Sequence, residues 1–474
     1  MLVRNATQPL SAQLADRFAA RIRDRLLSAG ARLPSVRECA RTHGVSPATV
    51  VAAYDRLLAA GMVEARKNSG FYVRNPENAL VQRSLSAAKN VANSGPAGIQ
   101  GPIDAAALMR GMMGRPADRP QPGMGTLPPA WLEADFLAAA LRKVTSSRAV
   151  HEMSSHYGDP TGDAGLRGSL SKRLAALSID AAPDQIITTL GATQALDIVS
   201  RTLLSAGDCV MVEEPGWAIE FARLAALGMR ILPVPRGADG PDLAVMQRYC
   251  EQHHPKLFVS VSVLHNPTGA CLKPQVAHRL LQLASAHDFH VVEDDTYSHL
   301  APAHATRLTA LDGLSRSIYV SGFAKIIAPS WRIGYIAAPA ALVPRLSDTK
   351  MLATLTTPAL LERALAWCID QGQLRRHAER IVARLDQARS RSARLALAAG
   401  CTFAAEPAGL FGWVDTGVDT DALAQALLDD GYLIAPGALF HAQRRPSTLM
   451  RINFATTQDS AFWRAFERRA VQLR

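Results

Sequence analysis

Apolar positions in the first sixty residues fall at helical spacing. Leu10, Leu14, Phe18, Ile22 and Leu26 recur every fourth position, which predicts an amphipathic helix ending near Gly30. Pro34-Ser35 opens a second helix, with Ser35 as N-cap, running to about Thr42 and turning at Gly44. Ser46 caps a third, with Pro47 in the first position, where a missing N–H leaves no hydrogen bond unmade. Val50, Tyr54, Leu57 and Leu58 are its expected core face. Short strand-like runs at 62–66 and 71–74 flank Lys67-Asn-Ser-Gly70 and complete a wing. Helix, glycine turn, helix and hairpin together make a winged helix-turn-helix over residues 1–75.

The pattern then breaks. Asn75-Pro-Glu-Asn, Asn93-Ser-Gly-Pro-Ala-Gly98 and the run from Gly114 to Gly123 are rich in turn and breaker residues, so 76–120 is expected to be a linker. Within it, 103–113 reads as one short helix. From 121 to 474 strand-like runs at 186–189, 209–213, 230–234, 257–261, 290–293, 317–320 and 332–338 alternate with amphipathic stretches. That alternation predicts an α/β domain with a mostly parallel sheet, whose ligands sit at the carboxyl ends of the strands.

Composition narrows the function. Of the +11 net charge, seven units come from the first 75 residues, where twelve lysines and arginines face five carboxylates. A small basic winged module is what double-stranded DNA requires of a partner. The six cysteines are scattered, with no C-x-x-C spacing, which argues against a metal site or a disulfide framework and suits a reducing cytoplasm. No uninterrupted apolar run reaches membrane length, and the first residues contain no apolar signal core.

Candidate chemistry gathers at the strand ends. Lys325 stands among Gly322, Phe323, Ala324, Ile326 and Ile327. A partly desolvated lysine has a lowered pKa and an amine free to attack a carbonyl. Arg332, seven residues on, offers a planar fork for a phosphate. A lysine for an aldehyde and an arginine for a phosphate suggest pyridoxal 5′-phosphate. Gly191-Ala192-Thr193 carries a strand into a helix whose first N–H groups form a phosphate seat. Trp217 can lie on a ring, Asn266 in His265-Asn-Pro-Thr-Gly269 can donate to a phenolate, and Tyr297 can reach the same oxygen. Asp294 or its neighbour Asp295 can keep a ring nitrogen protonated. Arg451 lies on an apolar strand and wants an anion such as an amino acid's carboxylate.

The N-terminal part, through Gln8-Pro-Leu10, Leu33-Pro-Ser-Val-Arg37, Gly44-Val-Ser46, Thr49-Val50 and Ser69-Gly70-Phe71, resembles a GntR-type winged helix. The resemblance implies that Arg37 contacts DNA and that Ser46 and Thr49 lie near phosphates. Pro47-Ala48 stands where such proteins often carry a basic residue, so the operator is not readable. The remainder, through Tyr157-Gly-Asp-Pro-Thr-Gly162, Gly191, Trp217, Asn266, Asp294, Tyr297, Lys325, Arg332 and Arg451 in that order, resembles the fold-type I aminotransferases. This implies a mostly parallel large-domain sheet, a smaller α+β subdomain over about 345–474, and a homodimer in which Tyr157 reaches the neighbour's phosphate. It implies Lys325 as the Schiff-base lysine, Asp294 rather than Asp295 at the ring nitrogen, and Arg451 on the substrate carboxylate. Relatives often carry serine at the positions of Gly322 and Ala324, so one phosphate hydroxyl is missing unless Ser321 compensates. The whole resembles the MocR-type regulators, which implies a DNA-binding regulator sensing the cofactor or an amino compound. The alternative is a working aminotransferase with an accessory winged helix.

Overall fold

A computed structural model describes residues 8–474 apart from 24–25, 28–29, 67–68, 75–120 and 146. The expected linker, its short helix over 103–113 and half of the wing turn lie outside the described residues.

The N-terminal unit comprises α1 (Leu10–Arg23), α2 (Val36–His43), α3 (Pro47–Ala59), β1 (Val63–Arg66) and β2 (Gly70–Val73). Ser35 and Ser46 cap α2 and α3 by accepting from Glu38 N and Thr49 N, and Gly44 takes the left-handed turn between them. α1 is described over Leu10–Arg23, and Leu26 and Leu27, four and three residues before Gly30, are no longer helical, although Leu27 still packs into the core. Leu58 does not join the core face of α3: it is 41 % exposed, while Val50, Ala53, Tyr54 and Leu57 are buried. Leu58, eight residues after Val50, keeps the helical spacing but lies at the edge of the buried face, in the last turn of α3. β1 and β2 pair antiparallel, Val63 opposite Val73.

The second unit is built on a seven-stranded sheet. Its strands are β3 (Ile186–Thr189), β4 (Cys209–Glu214), β5 (Arg230–Pro235), β6 (Leu257–Ser260), β7 (His290–Asp294), β8 (Ser317–Gly322) and β9 (Gly334–Ala337), in the order β3-β9-β8-β7-β6-β4-β5. All neighbours run parallel except at β9, which is antiparallel to both β3 and β8. Alternate residues of the strands feed different cores. Val210, Val212, Val292 and Ile318 pack with α4 (Ala192–Leu203), while Met211, Phe258 and Val291 pack with the helices carrying Met246, Cys250 and Leu280. Side chains alternate across a strand, so both faces of the sheet are covered and the middles of its strands are mostly apolar.

A smaller sheet follows: β10 (Thr402–Phe403), β11 (Phe411–Asp415), β12 (Ala435–Pro436) and β13 (Leu449–Asn453), antiparallel in the order β10-β11-β13-β12. The long helix α5 (Gln373–Ala398) precedes it, and α6 (Thr420–Asp429) lies within it in sequence. Sequence pattern foresaw β13 but not β10 to β12, two of which are only two residues long. Among the described residues no helix is long and apolar enough to cross a membrane, and all six cysteines are unpaired.

Candidate functional site: a pocket at the strand ends and an exposed winged helix

Turns after β3, β4, β6, β7 and β8 open at one end of the large sheet. β9 runs the other way, so its beginning, just after Arg332, lies at that same end. Arg332 was expected to open this strand. It instead precedes β9 with φ +52, a left-handed conformation that turns the chain before the strand starts. A cavity of about 690 Å³ lies between the two sheets, lined among others by Ala192, Thr193, Trp217, Asn266, Asp294, Tyr297, Lys325, Arg332 and Arg451.

At its floor, Gly191 holds φ +86 and leads into α4 without a side-chain cap, which leaves the first amides of the helix turned to the cavity wall. A Cβ on Gly191 would stand 2.6 Å from the Arg332 guanidinium, and one on Gly334 would stand 2.5 Å from the Gly191 backbone. The glycines therefore let β9 press against the head of α4. Arg332 donates through Nη2 to Leu190 O at 3.1 Å. Helix amides and a guanidinium thus converge as a dianion site requires.

Lys325 lies at the other wall. Burial pushes its amine down to about 8, with the positive charge of Arg451 adding to the effect. Its Nζ donates to Gly125 O at 2.7 Å and stands 5.7 Å from the centre of the Tyr297 ring. Asp294 is pushed up to about 6 by burial, then by nearby Glu220. Its Oδ1 accepts from Thr296 N at 3.1 Å and from the Thr296 hydroxyl. The alternative carboxylate, Asp295, is taken up elsewhere: its Oδ2 accepts from Arg307 Nε at 2.6 Å and from Tyr319 OH at 2.9 Å. Ser321 is equally committed. Its hydroxyl is buried and donates to Asp295 O at 2.8 Å, so it does not replace the hydroxyls absent at Gly322 and Ala324.

Arg451, on β13, closes the cavity from the small sheet. It is 3 % exposed and stacked against Phe411 and Phe440, at 4.3 and 5.2 Å. Nη1 donates to Asn266 Oδ1 at 2.9 Å and Nη2 to Gly123 O at 2.7 Å, while buried Nε has no partner. Burial lowers its pKa to about 10. A guanidinium held mostly by neutral carbonyls, with one N–H idle, is prepared for a carboxylate. Tyr157 does not line this cavity. It is 82 % exposed, on a loop fixed to Thr356 by a 2.5 Å hydrogen bond to its carbonyl.

Sequence reasoning began the second domain at 121 but gave the 121–127 strap no role, reading Pro122 and Gly123 only as the end of a breaker-rich run. Gly125 and Thr126 line the cavity, and Asn453 Nδ2 donates to Met124 O and Thr126 O at 2.9 and 2.8 Å. The glycines that read as breakers serve here to bring backbone carbonyls close to Lys325 and Arg451. Phe440 had no signal beyond its aromatic character.

On the winged unit, Arg37 is exposed near the start of α2. Ser46 and Thr49 lie at the head of α3, their hydroxyls 2.9 Å apart. Phe18 and Tyr54 meet edge-on at 5.7 Å, fixing α3 against α1.

Residues 130–468 match the family of class I and II aminotransferases, and residues 10–73 match the gntR family of bacterial regulatory proteins. The chain belongs to the class I and II aminotransferases and carries a GntR regulatory domain in front, the architecture of the MocR-type regulators. It is 32% identical to the probable rhizopine catabolism regulatory protein MocR of Rhizobium meliloti, over 80% of this chain and 76% of that one. It is 25% identical to the HTH-type transcriptional regulator YisV of Bacillus subtilis, over 96% and 94% of the two chains. Among solved structures it matches LysN, the α-aminoadipate aminotransferase of Thermus thermophilus complexed with N-(5′-phosphopyridoxyl)-L-leucine. That match has a TM-score of 0.70 at 23% identity and covers 77% of this chain and 95% of the other. A chain of this architecture is a pyridoxal-phosphate-dependent, DNA-binding transcription regulator.

Proposed function

We propose that this regulator is governed by an amino acid, or a related amine bearing a carboxylate, taken into the pocket beside the cofactor. The observation that carries the reading is the pairing of Lys325 and Arg451 across one cavity. One is a buried amine whose pKa burial pushes down to about 8, and the other a buried guanidinium with an idle N–H. The pocket suits the cofactor: helix amides of α4 and Arg332 for the phosphate, Trp217 for a ring face, Asn266 and Tyr297 for the phenolate, Asp294 for the ring nitrogen. When bound, pyridoxal phosphate supplies an aldehyde that condenses with amines and a ring that accepts electrons. Lys325 offers a neutral amine to that aldehyde. Asp294 holds a proton on the ring nitrogen, and a cationic ring in turn favours its ionised form. Arg451 orients the effector through its carboxylate and adds nothing to the binding of amines that lack one.

A second copy completes the arrangement. Tyr157, Leu352 and Leu355 are 82, 87 and 52 % exposed and share one surface, since the Tyr157 loop is bonded to Thr356. Large apolar side chains so exposed together suit a homodimer interface, with Tyr157 passing to the partner's phosphate site. Two winged helices would then meet double-stranded DNA in the cytoplasm, each placing α3 in a major groove. Arg37 would reach DNA, and Ser46 and Thr49 the backbone.

The complete pocket also favours turnover, as in an aminotransferase with an accessory winged helix. One experiment separates the readings. Amino acids are screened for their effect on binding to a duplex from the chain's own upstream region, and each is assayed for keto-acid formation. The regulator reading expects at least one to shift DNA affinity. Keto-acid formation with no such shift by any amino acid would favour the enzyme.

A further inference from the structure

The strap that lines the pocket and the winged unit both bond to the same short turn. α6 ends at Asp429, where Leu428 O accepts from Gly431 N at 3.0 Å and keeps a second lone pair for another donor. From the winged unit, Arg21 Nη1 pairs with Asp429 Oδ1 at 2.7 Å and Nη2 donates to Leu428 O at 2.6 Å. Arg17 Nη2 donates to Asp429 O at 2.6 Å. Arg21 is only 8 % exposed, so two arginines of an apparently DNA-directed charge cluster are spent on protein, at the helix end where the dipole favours cations.

Two residues further on, the strap takes over. Gly123 N donates to Leu433 O at 2.8 Å, Leu433 N donates to Gln121 Oε1 at 2.6 Å, and Gln121 Nε2 donates to Gly431 O at 3.2 Å. The same strap presents Gly123 O to Arg451 and Gly125 O to Lys325. Arg469 grips Asp430 with two bonds of 2.9 Å and steadies the turn from a third direction.

We propose that residues 428–433 form the joint through which pocket occupancy reaches the DNA-binding module, an inference that rests on the effector reading above. A carboxylate arriving at Arg451 competes with Gly123 O. An aldehyde cofactor engaging the Lys325 amine would take up the donor that Gly125 O now accepts. Both events loosen the strap. The strap is paired with 431–433, and 428–429 hold α1, which packs on α3. The linker need carry no force in this arrangement, because the contact is direct.

The test is hydrogen–deuterium exchange on the full-length chain, read at residues 10–23 and 428–433. Gly123→Ala places a Cβ where Ile434 C stands at 2.5 Å and so drives the strap off the turn. Gln121→Ala removes two of the hydrogen bonds more gently and covers the case in which the first variant does not fold. Without cofactor or DNA, either variant is expected to speed exchange in both windows about three- to tenfold, the range of one or two lost hydrogen bonds. Pyridoxal phosphate added to the unmodified chain should change the same windows. In the double variant Arg17→Ala, Arg21→Ala, which removes all three contacts, the change should persist at 431–433 and vanish from 10–23. Unchanged exchange at 10–23 in every folded strap variant would overturn the joint. Failure of pyridoxal phosphate to produce a visible absorption band would instead strike the cofactor reading and leave the strap variants to decide this one.

Discussion

Arg451 and Arg37 are both proposed to meet anions, and they are held in opposite ways. Arg451 is 3 % exposed, walled by two phenylalanines and bonded to Asn266 and Gly123, which lie far away in sequence. Arg37 is exposed on a two-turn helix positioned by its own neighbours, with Ser35 capping the helix and Gly44 turning the chain after it. A buried cation has its counter-ion chosen by geometry and loses heavily if the ion is wrong. An exposed one adds to a general attraction for phosphate that falls with salt. The pocket is thus built for selectivity among small molecules, and the winged surface for attachment to a long polyanion.

Substitutions can break each half of this comparison. The largest effect should come from Lys325→Ala. Pyridoxal phosphate should no longer become attached on borohydride reduction, as read by mass spectrometry of the peptide around residue 325. Attachment at another lysine of the pocket would show that the buried amine was misassigned. Arg451→Ala should weaken the response to amino acids about ten- to a hundredfold, since one or two charge-assisted hydrogen bonds are removed. The same variant should leave amines without a carboxylate unaffected. Arg37→Ala should cost about 1–3 kcal/mol of DNA binding if it reads a base edge, with the pocket's absorbance titration unchanged.

The pH dependence separates the halves again. Lys325 is a base whose pKa is depressed to about 8 by burial. Below that pH the protonated amine cannot attack an aldehyde, and above it the neutral form prevails. The rate of attachment of pyridoxal phosphate should rise about tenfold per pH unit up to about 8 and then level off. A rate still climbing to pH 10 would mean an ordinary exposed lysine. The smallest expected effect is a gain. Ala324 lines the cavity, and Ala324→Ser restores a hydroxyl that Ser321 does not supply. It should tighten the cofactor by about 0.5–1.5 kcal/mol, measurable by equilibrium dialysis.

Legibility in the sequence followed the same division. The winged unit is local, so caps, glycine turns and helical spacing specify it, and the misses are small: α1 ends early and Leu58 faces solvent. The large sheet was legible from apolar runs because its strands are buried on both faces. The reversal of β9 was not, since no pattern within a single strand states its direction. Around the pocket, residues such as Asp294 and Lys325 stand at strand ends, which the sequence placed. The D-x-x-Y spacing to Tyr297 chose Asp294 over Asp295 through the family resemblance, whereas the physical reason, the hold of Arg307 and Tyr319 on Asp295, involves residues outside that pattern. The strap was hidden for a different reason. Pro122 and Gly123 read only as breakers and Gly125 gave no signal, because what they contribute is backbone carbonyls, and a carbonyl leaves no mark on residue type.

The central claim is that the two halves share one free energy. The direct measurement is a reciprocal titration at fixed salt, using a duplex from the chain's upstream region. Its affinity is measured with and without pyridoxal phosphate and the responding amino acid, and the affinity of that amino acid is measured with and without the duplex. Coupling requires the same factor in both directions, typically about 5–150-fold. Equal factors in that range are the predicted result. Factors of one in both directions, for every amino acid that changes the pocket's absorbance, would contradict it.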